Sequence, residues 1–113
     1  MINQDILENQ ANRIYLGIGS NLGNRRNKIE QAKYELSLRN IRLVKSSNFY
    51  ESLSWPDESK PKYLNIVLEV ISDLKPLELL KVSKKIEISL GRKKSYKNAP
   101  RECDIDIIDY KRK

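Results

Sequence analysis

The sequence predicts an α+β domain with element order β-α-β-β-α-β, a four-stranded antiparallel sheet carrying two helices on one face. Three observations predict it. Segments with a period of two alternate with two segments of helical period. The aliphatic residues of the strand segments fall on one side only, as in a sheet covered on a single face. With 113 residues there is room for one core and no second domain.

A polar leader is expected over residues 1–12, ahead of a single domain over 13–113. In "RIYLGIGSN" Ile14, Leu16 and Ile18 share one strand face and Tyr15, Gly17 and Gly19 the other. "GNRRNKIEQAKYELSLRN" follows with Ile29, Ala32 and Leu36 at helical spacing and Asn24 placed to cap the first turn. "IRLVKSSNFYES" reads as the second strand, and "LSWPDESKPK", with two prolines, as a loop. "YLNIVLEVIS" is the clearest strand, with Leu64, Ile66, Leu68 and Val70 on one face and Tyr63 and Asn65 beginning the other. "LKPLELLKVSKKIEISLG" carries Pro76 at a helix start, Gly91 at the stop, and Leu79, Val82, Ile86 and Leu90 along one side. A basic loop, "RKKSYKNAP", leads into the last strand, "CDIDIIDY".

This order is the ferredoxin-like pattern, whose usual strand order is 4-1-3-2. If the aliphatic sets face the helices, Gly17, Gly19, Tyr63, Asn65, Asp104 and Asp106 converge on the open face.

Composition narrows the chemistry. Twenty-two Lys and Arg against 15 Asp and Glu give a net charge of +7, which favours a polyanionic partner, whether nucleotide triphosphate, nucleic acid or anionic membrane; the sign alone does not choose among them. One cysteine excludes an internal disulfide framework, and the start shows no apolar run resembling a signal peptide, so a reducing cytoplasm is expected. Nothing approaches a membrane span. The absence of histidine removes Ser-His-Asp and Cys-His catalysis and His-ligated zinc, so any metal should be a hard ion held by oxygen, with magnesium leading.

"GIGSNLGN" satisfies neither the dinucleotide fingerprint, because Leu22 stands where a third glycine belongs, nor the Walker pattern. Its plain reading is a tight strand-to-helix turn; its functional reading is that Gly17 and Gly19 leave room over the sheet for a flat ligand. Asp104 and Asp106 can be a solvated edge face that discourages aggregation. At roughly 5 Å, however, two carboxylates repel by about 3 kcal/mol at an effective dielectric of 20, which magnesium would offset while taking phosphate oxygens as further ligands. Arg101 upstream can fork onto a phosphate. Tyr63 beside Asn65 suits a planar heterocycle. Trp55 is either a hydrophobic plug or a lid over that platform, and Lys93, Lys94 and Lys97 are a solvated loop that would also attract a triphosphate.

On these residues the chain resembles the 6-hydroxymethyl-7,8-dihydropterin pyrophosphokinases. The matching pieces are "YLGIGSNLGN", "SSNFYES", "SWPDESKPKYLN", "IEISLGR" and "NAPRECDIDIIDY", in the family's order, over residues 14 to 110. The resemblance implies magnesium-dependent transfer of diphosphate from ATP to the pterin alcohol in folate biosynthesis. Asp104 and Asp106 would hold two magnesium ions and, with Arg101, form the catalytic set. Leu53, Trp55, Tyr63 and Asn65 would hold the pterin, and Glu87, Arg92, Arg101 and Ile107 the ATP. The family usually continues beyond this strand through a segment with a histidine, an arginine and the aromatic that clamps the pterin's second face, so the chain is expected to be C-terminally truncated. A monomer binding small molecules only, with no membrane or nucleic-acid partner, is expected. The competing readings are a non-enzymatic ferredoxin-like module for nucleotide or RNA, and an inactive remnant of the enzyme; an RNA module of that type would carry aromatics, not acids, in its central strands.

Overall fold

A computed structural model describes residues 12–54, 57–91 and 102–111. Its elements are β1 (Asn12–Ser20), α1 (Arg25–Ser37), β2 (Arg42–Ser46), β3 (Tyr50–Ser52), β4 (Tyr63–Ser72), α2 (Pro76–Ser89) and β5 (Asp104–Lys111). All strand pairs are antiparallel. The sheet order is β2-β4-β1-β5, with β3 also paired to β4.

The sheet therefore has five strands, not the expected four, because "IRLVKSSNFYES" breaks in two along one edge of β4. The physical cause is local. β2 shifts register between Leu43 and Lys45, with Val44 extra. Ser47 then donates its amide to the Val67 carbonyl (2.8 Å) and accepts the Val67 amide on its hydroxyl (2.9 Å), so a side chain replaces part of the backbone ladder. Asn48 and Phe49 stand against Ile66 alone before pairing resumes at Tyr50 with Asn65. The extra residue turns Phe49 against the core, where the Arg26 guanidinium lies 4.9 Å from its ring centroid. Counting β2 and β3 as one broken strand, the spatial order is the 4-1-3-2 expected.

The core lies between the sheet and the two helices. Ile14, Leu16 and Ile18 oppose Val70, Leu68 and Ile66, all essentially without exposure. Ile29, Ala32 and Leu36 of α1, Leu79 and Ile86 of α2, and Cys103 and Ile105 close it. Each fully buried aliphatic side chain contributes about 1.5–3 kcal/mol through removal from water. Helix ends follow the chemistry read in the sequence: Asn24 accepts the Asn27 amide (3.1 Å), Pro76 opens α2, and Gly91 adopts φ +109° beyond it. No helix among the described residues is long and apolar enough to cross a membrane.

Candidate functional site

The uncovered face of the sheet holds a shallow cavity of about 260 Å³. Strand register dictates its plan. Across β4, β1 and β5, Asn65, Gly19 and Asp104 form one row, and Val67, Gly17 and Asp106 the next. Adjacent strands lie about 4.8 Å apart, so the Asn65 and Asp104 backbones are about 10 Å apart with a glycine between them. An amide and a carboxylate thus flank a position of β1 that carries no side chain of its own. Tyr50 and Ser52 of β3, Tyr63 and Ile108 also line it.

The glycines act differently from one another. Gly17 and Gly19 lie within β1, and the turn expected from "GIGSNLGN" is made by Gly23, at φ +74°. The room above Gly19 is already used: a Cβ there would meet Asn65 Oδ1 at 3.0 Å and the Tyr63 ring at 3.2 Å. Above Gly17, a Cβ would meet Ile108 Cδ1 at 3.2 Å. The glycines therefore let Tyr63, Asn65 and Ile108 settle low over the sheet, and any flat ligand rests on those side chains.

Asn65 is oriented by its neighbours. Its Nδ2 donates to the Ser52 hydroxyl (2.9 Å) and the Tyr50 carbonyl (3.3 Å). Because Tyr50 offers only an acceptor, the amide nitrogen faces β3 and Oδ1 faces the Gly19 side. β3 is itself held by Glu51, whose carboxylate pairs with Arg25 at 2.8 Å; the Arg25 guanidinium holds that carboxyl below the usual range. Arg25 also donates to the Lys62 carbonyl at 3.1 Å.

Asn21, in the motif that matched no phosphate loop, is nearly fully buried. Its Nδ2 donates to the Ser54 hydroxyl and to the Pro61 carbonyl, each at 3.1 Å, and the Ser54 hydroxyl donates to the same carbonyl. One amide thus ties both ends of the loop after β3 to the end of β1. Replacing Asn21 by alanine is expected to lower stability by about 1–3 kcal/mol, since it removes one buried and one part-buried hydrogen bond; urea denaturation checks it.

Of the sequence-predicted residues, Tyr63, Asn65, Asp104 and Asp106 come together in the cavity. Leu53 is exposed at the end of β3. Ile107 is half-buried against the core, on the helix side of β5. Glu87 is wholly buried, and its Oε2 accepts the Ile105 amide at 2.7 Å. Trp55, Arg92, Lys93, Lys94, Lys97 and Arg101 lie outside the described residues. Sequence reading missed Tyr50, Ser52 and Ile108. For Ile108 a signal existed: the doublet Ile107-Ile108 breaks the alternation of β5, and there the register against β1 shifts, Tyr15 pairing with Asp109 and Leu16 with Ile107.

The model of the 7,8-dihydro-6-hydroxymethylpterin-pyrophosphokinase family matches residues 15–112, nearly the whole chain. The chain belongs to this family. Similar proteins include the 2-amino-4-hydroxy-6-hydroxymethyldihydropteridine pyrophosphokinase of Aquifex aeolicus, 44% identical over 98 residues, which are 87% of this chain and 61% of that protein. The pyrophosphokinase of the same name from Porphyromonas gingivalis is 39% identical over 98 residues, 84% of this chain and 67% of that protein. The folic acid synthesis protein of Pneumocystis carinii is 37% identical over 110 residues, 97% of this chain but 15% of that protein. The chain thus spans about 61% of the length of the Aquifex pyrophosphokinase. The pyrophosphokinase match runs from Tyr15, within β1, past the end of β5, so the cavity on the open face lies wholly within the matched region.

Proposed function

We propose that this chain carries the nucleotide and pterin sites of a pyrophosphokinase that moves diphosphate from ATP to 6-hydroxymethyl-7,8-dihydropterin. The observation that carries the reading is the Asn65–Gly19–Asp104 row: a heterocycle-reading amide and an acidic pair on one open face, separated by one glycine strand.

The donor set fits magnesium. Among the described residues no group of three or more acids, cysteines or histidines gathers to cage a metal, and two carboxylates with phosphate oxygens and water are how magnesium is usually bound. Asp104 and Asp106 would hold it, with two ions as the finer form of the reading; when bound, it neutralises charge on the triphosphate. The chain's own residues then position the reactants. Tyr63 stacks on the pterin ring, and Asn65 Oδ1 accepts a ring N–H, because its Nδ2 is engaged by Ser52 and Tyr50. The hydroxymethyl oxygen is thereby directed toward Asp104 and the β-phosphorus. A bond forms from that oxygen to the β-phosphorus, the bond to the α–β bridging oxygen breaks, AMP leaves, and the hydroxyl proton passes to water. No covalent enzyme intermediate is needed, and positioning with charge neutralisation carries most of such a transfer. Arg101 and Arg92 are proposed on the nucleotide from the sequence resemblance.

Replacing Asn65 by alanine tests the assignment of the two ends. Pterin affinity is expected to fall by about 1–3 kcal/mol, the usual cost of leaving a buried polar partner unpaired, while affinity for the magnesium nucleotide stays close to that of the parent. Titration of each ligand separately reads both. Equal weakening of the two moves Asn65 out of the pterin site.

A further inference from the structure

Glu87 stands apart from the other acids among the described residues. Charged side chains are rarely fully buried unless paired, yet this one has no exposure and sits in the last turns of α2 facing β5. Its Oε1 is 3.6 Å from Lys84 Nζ, and its Oε2 accepts the amide of Ile105 at 2.7 Å. Ile105 is the residue between Asp104 and Asp106.

We propose that Glu87 is a positioning residue for the Asp104–Asp106 pair, setting the register and height of β5 through the Ile105 amide. This rests on the reading of those acids given above. Among the described residues β5 is an edge strand, paired with β1 alone, and backbone groups of alternate residues in an antiparallel strand point to opposite sides. An Ile105 amide directed to Glu87 points off the free edge, which turns the amides of Asp104 and Asp106 toward β1. Edge amides ordinarily meet water; this one meets a buried carboxyl from a helix packed in the core. Downstream, β5 slips register at Ile108. The Glu87 tie therefore sits at the centre of the acidic pair, and the bulge follows two residues beyond Asp106. A one-residue slip would exchange the faces of Asp104 and Ile105, and the tie opposes that slip at the residue where it would matter most.

The test compares Glu87→Gln, which keeps an acceptor oxygen, with Glu87→Met, which keeps the volume and removes the acceptor. Ser83→Ala serves as a control, since Ser83 is buried one turn earlier on α2 and its hydroxyl has no hydrogen-bond partner among the described residues. Amide exchange at Ile105 is followed in the free protein, and affinity for manganese with a non-hydrolysable ATP analogue is measured by titration. Glu87→Met is expected to speed Ile105 exchange and to weaken metal-nucleotide binding about tenfold or more, with pterin affinity unchanged; Glu87→Gln and Ser83→Ala should stay within about threefold of the parent. Faster exchange with unaltered metal-nucleotide affinity would reduce Glu87 to a cap on an edge strand and overturn the proposal. Should Glu87→Met not fold, the unaltered protein decides: metal nucleotide must slow Ile105 exchange, because coupling between two sites is reciprocal, and unchanged exchange overturns the proposal. If the unaltered protein binds no metal nucleotide at all, the acidic pair has been misread, and the failure lies in the proposed function on which this one rests.

Discussion

Replacing Asp106 or Asp104 by asparagine is expected to reduce diphosphate transfer about a hundred- to thousandfold, the usual cost of removing one preorganised electrostatic contact to a developing charge. The side chain keeps its shape, so the change removes the carboxylate charge. Both acids sit over glycines of β1, Asp106 opposite Gly17 and Asp104 opposite Gly19, and neither belongs to the core. Without metal, two carboxylates roughly 5 Å apart repel by about 3 kcal/mol at an effective dielectric of 20. Relief of that repulsion should keep the melting temperature of either variant within a few degrees of the parent while transfer collapses. A parallel fall in both would mean that the acids hold the strand in place instead of holding phosphate. The measurement is AMP release with ATP, magnesium and the pterin alcohol, beside a thermal melt. The protein assayed is one whose unaltered form is active.

Leu68→Ala should give the largest loss of stability. Leu68 sits mid-way along β4, opposite Leu16 of β1, and both are essentially unexposed beneath the helices. Truncation removes buried methyl groups and leaves a cavity where sheet and helices meet, at a cost of about 2–5 kcal/mol. Against a total stability of roughly 5–15 kcal/mol for a domain of this kind, that is a substantial share of what holds the chain folded. The melting temperature should fall by about 10 °C or more. Val67→Ala, one residue earlier and half-buried on the open face, should cost under about 1 kcal/mol. Equal losses at the two positions would mean that the sheet is covered on both faces.

The faces of β1 and β4 and both helices were legible because their signals are periodic and local. Ile14, Leu16 and Ile18 repeat every second residue, and Ile29, Ala32 and Leu36 every three or four, so burial follows from spacing alone. The convergence of Tyr63, Asn65, Asp104 and Asp106 was legible for the same reason, once the strand order put β4, β1 and β5 side by side. The break between β2 and β3 was not. "KSSNFYES" keeps a strand-like composition, and the decisive event is that Ser47 uses its hydroxyl in place of a backbone acceptor for Val67. Serine gives no advance notice of such a choice. The use of the glycines was half-legible: small residues signal close approach, but whether ligand or protein fills the space depends on partners in other strands. Asn21 reaches residues 33 and 40 positions away, and Glu87 reaches a strand 18 positions away. A hydrophilic residue in the core is what a periodic reading places on the surface.

The central claim is that the acidic pair on the open face is a metal-dependent nucleotide site beside a pterin site. Its most direct test is calorimetric titration of this chain with a non-hydrolysable ATP analogue, once with magnesium and once in excess chelator. The structure predicts binding with magnesium and its loss in chelator, because two carboxylates without a cation repel the phosphates they are there to hold. Equal affinity under both conditions would contradict the role assigned to Asp104 and Asp106.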